Sequence, residues 1–227
     1  MTERVRYELG DDGVAQVTMD DGKVNALSPT MLGDLGAAFD KADGDGAAVL
    51  LTGRTGVFSG GFDLRVLREG SEADRLGMVR GGFELAERVL SFPRPVVVAA
   101  SGHAIAMGFF LTLSADLRIG AAGEFRFSAN EVAIGLSVPA TALAIMRYRM
   151  LPAVADRAAI TAAAIEPAEA LAAGVLTEVA DPAQLLAVAR ARAAAVAGLP
   201  ADGFRDTKLR AHTGVLAELR AGISEMG

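Results

Sequence analysis

Cysteine is absent from the 227-residue sequence, and histidine occurs only twice, as His103 and His212. The first absence removes disulfides, thiolate metal sites and cysteine nucleophiles together, and it suits a reducing cytoplasm. The second removes a three-histidine centre, and the separation of the two residues excludes a two-histidine helix motif, so no metal site is expected. Positive charge is also scarce. Lys and Arg number 22 against 28 Asp and Glu, for a net charge of -6 and a pI near 5.0. Phosphate backbones need a clustered positive field, and no Lys/Arg run supplies one, so nucleic acid is not an expected partner.

Several chemical signatures are missing as well. No Gly-x-Gly-x-x-Gly loop and no Walker A motif are present, and Ser59 and Ser101 each precede glycine without forming Gly-x-Ser-x-Gly. Asp40 to Gly46, "DKADGDG", lacks the spacing and terminal glutamate of an EF-hand and reads as a solvated loop. The opening "MTERVRYELGDD" is too polar for a secretory signal. Val96 to Ala115 carries no formal charge over the length of a membrane span. Its β-branched start and the interrupting "SGH" favour a strand, a turn and a helix instead, so no membrane span is expected.

What is present is a core-forming chain, 52% hydrophobic and 22% charged. "VRYEL" and "VAQVTM" flank "GDDG", a hairpin signal. Ser28-Pro29 opens a helix to about Ala42, "AAVLLTG" is a buried strand, and "SEAD" at Ser71 caps a long helix with Phe83, Ala86 and Leu90 on one face. Strands at Val96, "ADLRIG" and "EFRF" continue the alternation, which predicts an α/β architecture with parallel strands. From about Pro139 the chain turns to alanine-rich helix, with "DPAQ" capping a helix from Asp181 through roughly Val196. The division is an α/β core over 1–150 and a helical region over 151–227. The latter has too little bulk for its own core and packs on the α/β part or on another subunit.

Two glycine-bearing turns stand out, "VFSGGFDL" (Val57–Leu64) and "GHAIAMG" (Gly102–Gly108), each after an apolar strand. Glycine lets a backbone approach a ligand closely, and the second turn runs into a helix start, where free N–H groups favour negative charge. Facing each other, such turns would make an oxyanion hole from backbone alone. Tight packing explains them equally well. His103 in the second turn is a possible base, but a turn histidine bonded to backbone is the simpler reading.

"KVNALS" (Lys23–Ser28), "VFSGGFDL", "GHAIAMGFFL" with "ADLRIG" behind it, and "FSANEVAIGL" (Phe127–Leu136) occur in that order. The set resembles the crotonase superfamily of enoyl-CoA hydratases and isomerases, over roughly residues 14 to 140. That resemblance implies a spiral of ββα units with a helical C-terminal region used in homotrimers or dimers of trimers. It also implies an acyl-CoA substrate and no cofactor beyond the CoA moiety. By motif, the two oxyanion-hole N–H groups fall on Phe62, after Gly61, and Met107, before Gly108. Of the two glutamates used by family hydratases, the place of the first holds Phe110 and the second matches Glu131. One carboxylate without its partner resembles the family's Δ3,Δ2-enoyl-CoA isomerases. Desolvation by Val132, Ala133 and Ile134 would raise the Glu131 pKa and suit proton transfer.

The resemblance also places CoA near Lys23, Val24, Ala26 and Leu64, with Lys208 of "RDTKLRAH" reaching a phosphate. Gly61, Gly108 and Phe110 are assigned to the substrate pocket. Met107, Phe109 and Phe110 would make it apolar if they face it, and Met107 would narrow it. Hydration through Glu131 alone and a non-catalytic acyl-CoA binder are the alternatives. Against each assignment stands a plainer one: Phe110 as ordinary core, Glu131 as a surface or paired glutamate, Lys208 as a solvated helix lysine.

Overall fold

The structure, a computed structural model, describes residues 4–226. The first three residues of the polar N-terminal stretch lie outside that range.

Strands β1 (Val5–Leu9) and β2 (Val14–Met19) form the expected antiparallel hairpin, with Val5 opposite Met19. Helix α1 (Pro29–Gly44) begins where Ser28 Oγ accepts the Met31 N–H at 3.2 Å, and it returns the chain to β3 (Ala48–Thr52), parallel to β2. The helix runs past Ala42, so Asp40 to Gly46 is mostly its last turn rather than a loop. Asp40 pairs there with Arg88, and Asp45 accepts the Tyr7 hydroxyl.

From β3 onward the chain repeats one unit. β4 (Gly56–Ser59) leads to α2 (Leu64–Glu69) and α3 (Glu72–Ser91), which starts at the predicted Ser71/Asp74 capping box. β5 (Val96–Ala100) and β6 (Gly102–Ile105) lead to α4 (Met107–Ser114). β7 (Leu117–Ala121) and β8 (Phe127–Ser128) lead to a short 3₁₀ turn at Val132–Ile134 and α5 (Ala140–Arg149). The first strand of each pair enters a six-stranded sheet, where β1 and β2 precede β3, β5 and β7. The second enters a three-stranded sheet of β4, β6 and β8, all parallel. The second glycine turn is therefore shorter than the sequence suggests: Gly102 to Ile105 is strand, and the reversal is confined to Ala106. Among the described residues no helix is long and apolar enough to cross a membrane.

The continuous apolar runs of β3 and β5 follow from burial on both faces. Val49, Leu51, Val96 and Val98 face the large core with α1, α3 and α4. Leu50, Val97 and Ile119 face the other way, onto Leu185, Ala189 and Ala193. After α6 (Pro152–Thr161), α7 (Pro167–Ala172) and edge strand β9 (Glu178–Ala180), those three residues belong to α8 (Leu185–Ala197). Asp181 does not cap α8. Its carboxylate takes the Ala183 N–H at 2.8 Å inside a separate turn, so the helix starts four residues after it. Small alanines suit α8 because it must lie close on the sheet.

Helices α9 (Ala201–Ala211) and α10 (Thr213–Ser224) complete the chain. Val215, Leu216, Leu219 and Ile223 of α10 enter the large core against α3 and α5.

Candidate active site

The site gathers at the C-terminal ends of the three short parallel strands, where open backbone groups and loops meet in sheets of this kind. After β4 come Gly60, Gly61 and Phe62; after β6 come Ala106 and Met107; after β8 come Asn130 and Glu131. Residues far apart in sequence thus reach one place because three successive units repeat the same path.

The two turns press against each other. Gly61 has φ +87, and a Cβ built there would lie 2.8 Å from Ile105 O and 3.4 Å from Met107 N. Any side chain at 61 would force the turns apart. Gly108 is equally confined, since a Cβ there would lie 2.7 Å from Ser59 Cβ and Ser59 O. Ala106 takes φ +48 and ψ -122 at the head of α4, a conformation rarely tolerated outside glycine. It turns the chain so that helix α4 starts with its first N–H groups open. Among the described residues, the N–H groups of Phe62 and Met107 have no acceptor within the protein.

A cavity of about 170 Å³ adjoins these turns, lined on its apolar side by Phe62, Leu67, Val79, Phe83 and Phe110. Among the described residues, Glu131 is the only carboxylate lining it. Its Oε2 is buried without a hydrogen-bond partner, and burial pushes its pKa up, opposed weakly by its own backbone N–H. The source of that desolvation differs from expectation. Val132 and Ala133 are exposed and off the cavity, whereas Ile134, half exposed, lines it, and the rest of the dry surroundings come from the opposite cavity wall. Phe110 stacks on Phe83 of α3, with ring centroids 6.3 Å apart and planes 21° apart. No group that could orient water stands at position 110.

Met107 and Phe109 do not line the cavity. The Phe109 ring packs toward Phe127, and the Met107 side chain lies over Gly82 of α3 beside the Phe62 ring. Met107 therefore does not narrow the site, because a helix N-terminus presents its N–H and its side chain in different directions. Gly61 and Gly108 do not line it either. They act by allowing the close approach just described.

A groove of about 710 Å³ meets the cavity at Gly60, Phe62 and Leu64, and it is lined by Lys23, Val24 and Ala26, together with Arg4 and Arg65. Its floor loop is held by Asp21, whose carboxylate accepts the N–H groups of Lys23 (2.7 Å), Asn25 (2.8 Å) and Ala26 (3.0 Å). Burial would raise the Asp21 pKa, but those N–H groups and the Arg54 charge hold it below the usual carboxylate range. Asn25 is fully buried at φ +50, its amide donating to Met19 O and Phe58 O at 3.1 Å each.

Lys208 is not part of this groove. Its side chain is 3% exposed and its Nζ lies 2.7 Å from Asp116 Oδ2, an oxygen that also accepts the Val96 N–H at 2.8 Å. The assignment to a CoA phosphate is corrected accordingly: α9 points this lysine into the protein, where an acid neutralises it. Nor is it a solvated lysine. His212, next to it, donates from Nδ1 to Leu90 O at 2.7 Å. His103 accepts the Arg126 N–H through Nδ1 at 3.1 Å, as a backbone-bonded histidine, though on β6 rather than in a turn. No group of three or more potential metal ligands occurs among the described residues.

Sequence reasoning missed Phe83, Leu67 and Val79 as cavity wall, and Arg4, Arg65, Asp21 and Asn25 around the groove. Only Asn25 carried a usable signal, as a residue type tolerant of positive φ within "KVNALS".

Residues 10–224 match a family model described as enoyl-CoA hydratase/isomerase. The crystal structure of enoyl-CoA hydratase EchA3 from Mycobacterium ulcerans is 45% identical, with a TM-score of 0.95 over 98% of this chain and 97% of that one. A Mycobacterium tuberculosis structure described as an enoyl-CoA isomerase is 44% identical, with a TM-score of 0.95 over 100% and 98%. A putative enoyl-CoA hydratase of Thermus thermophilus is 34% identical over 214 residues, 90% of this chain and 81% of that protein.

Proposed function

Since the chain belongs to the enoyl-CoA hydratase/isomerase family, we propose that it moves the double bond of a 3-enoyl-CoA to the 2-position. The observation that carries this reading is a single lining carboxylate, Glu131, whose Oε2 is buried without a hydrogen-bond partner, in a cavity where Phe110 occupies the other acid's place.

The substrate's thioester oxygen accepts the N–H groups of Phe62 and Met107. Glu131 takes the proton from C2, and the electron pair of that C–H bond delocalises into the carbonyl as a dienolate. The two N–H groups hold the oxyanion, each worth about 3–4 kcal/mol of barrier. The protonated Glu131 then returns the proton to C4, and the double bond settles between C2 and C3. No atom is gained or lost. A carboxyl with a raised pKa suits both halves, since it must accept and release one proton within a turnover. Lys23, Val24, Ala26 and Leu64 lie along the CoA moiety, with no cofactor beyond it.

Residues 1–150 form the acyl-CoA site, and 151–227 complete the subunit and its contacts in a homotrimer or dimer of trimers. Exposed Leu151 and Ile160 supply apolar surface for such contacts.

Hydration is the second reading, favoured by the names of the M. ulcerans and T. thermophilus relatives. Parallel turnover of trans-3-enoyl-CoA and trans-2-enoyl-CoA, with wild type and Glu131→Gln, separates the two. Isomerisation should fall about 10²–10⁴-fold in the variant while acyl-CoA binding persists. Robust hydration by wild type would replace the isomerase reading. Binding without turnover on either substrate would make the protein an acyl-CoA binder.

A further inference from the structure

Ser59 failed as a nucleophile in the sequence, yet it is fully buried at the end of β4, beneath both candidate oxyanion turns. Its Oγ donates to Asn25 O at 2.8 Å and accepts the Gly61 N–H at 3.1 Å. A hydroxyl is among the few side-chain groups that can donate and accept from one atom, and both capacities are used here. Ser59 also forms the surface on which Gly108 rests, where a built Cβ would lie 2.7 Å from Ser59 Cβ and 2.9 Å from its Oγ.

Three segments therefore meet on one side chain. The first is the groove loop, fixed in turn by Asp21, whose N–H donates to Asn25 Oδ1 at 3.0 Å. The second is the Gly60–Phe62 turn, whose neighbours are also tied to that loop: Gly60 N–H to Val24 O at 2.7 Å, and Leu27 N–H to Gly61 O at 2.8 Å. The third is the first turn of α4, one residue beyond Met107. Holding the Gly61 N–H inward on Ser59 leaves the next N–H, that of Phe62, without a protein acceptor. Packing against Gly108 sets how near the Met107 N–H stands to it.

We infer that Ser59 is a positioning residue that sets the spacing and aim of the two oxyanion-hole N–H groups. It touches no substrate. The inference rests on the oxyanion-hole reading above and extends it to a residue outside the cavity and the groove.

A spectroscopic readout separates positioning from mere support of the fold. The carbonyl stretch of a bound saturated acyl-CoA, isotopically labelled at C1, reports hydrogen bonding to the thioester oxygen directly. In wild type it should move to lower frequency on binding. In Ser59→Ala the shift should shrink by about half, and kcat should fall about 10–100-fold, with KM and Kd within about twofold. Ser59→Cys keeps a side chain of similar shape with weaker hydrogen bonds, and covers the case in which the alanine variant does not fold. It should give an intermediate shift and an intermediate kcat. A folded variant with the full wild-type shift and kcat would overturn the role of Ser59. A wild-type protein that binds acyl-CoA with no shift at all would instead overturn the oxyanion-hole reading beneath it.

Discussion

Asp116 and Glu131 are both largely withdrawn from solvent, Asp116 with 17% of its side chain exposed, and the fold treats them in opposite ways. At the junction between α4, β7 and the C-terminal helices, Asp116 accepts Lys208 Nζ at 2.7 Å and the Val96 N–H at 2.8 Å. Arg149 reinforces that junction, donating to Leu113 O and Ala115 O at 2.9 and 3.0 Å. At the cavity, Glu131 Oε2 has no hydrogen-bond partner, and the wall is largely aromatic and aliphatic, with Arg68, Asn130 and Ser137 also lining it. A buried acid with partners fastens segments together, whereas one without partners keeps its proton-accepting capacity for something that arrives later. The difference lies in the neighbours and not in the carboxylate.

Breaking the junction should have the largest effect. Lys208→Met leaves Asp116 buried without its counter-ion, and removing one member of a buried pair costs about 3–5 kcal/mol. Urea unfolding reads this loss. KM for acyl-CoA should stay within about twofold, because Lys208 does not line the groove. A raised KM with unchanged stability would return Lys208 to CoA binding. The double variant Asp116→Leu/Lys208→Met should recover a large part of the stability, since an apolar pair no longer strands a charge.

The same operation at the cavity should have the opposite sign. Glu131→Gln removes an uncompensated buried charge and should raise stability by about 1 kcal/mol at neutral pH while removing turnover. Because the folded pKa of Glu131 is raised, the folded chain holds a proton that the unfolded chain has already lost. Its contribution to stability therefore declines as pH climbs from the ordinary carboxyl range through the raised value. The advantage of the variant should vanish in acid and grow with pH across that window, as paired thermal melts would show. The acid limb of kcat/KM should likewise lie above the ordinary carboxyl range in wild type.

The smallest effect contrasts strain rather than charge. Ala106 at φ +48 carries backbone strain, while Ala115 at the junction has an unstrained φ of -71. Ala106→Gly should leave stability unchanged or raise it by under about 1 kcal/mol, as relief of strain offsets the added freedom of the unfolded chain. Ala115→Gly should lower stability by about 0.5–1 kcal/mol or more. Equal losses at both sites would mean that the site turn stores no strain.

Much of the architecture was legible because local rules and burial agree. The hairpin at "GDDG", the Ser28 and Ser71 caps and the apolar β3 and β5 runs each follow from neighbours in sequence. Phe62, Met107, Phe110 and Glu131 were singled out only through the resemblance of their motifs to a known family; by themselves the two glycine turns read equally well as tight packing. Other features depend on which segments stack. "GHAI" has too few residues to declare itself a strand until β4 and β8 flank it. Pro182 suggested a helix start that Asp181 instead closed into a turn.

The sequence by itself determined the alternation of strand and helix, the glycines that permit close turns, and an apolar residue at position 110. Only the tertiary structure decided that Lys208 is sealed against Asp116, that Met107 offers its N–H while its side chain turns into the core, and that Ser59 lies under both turns. The physical reason is that composition and spacing report what each residue can do, whereas the direction of a side chain and the charge state of a buried group depend on atoms contributed by distant parts of the chain.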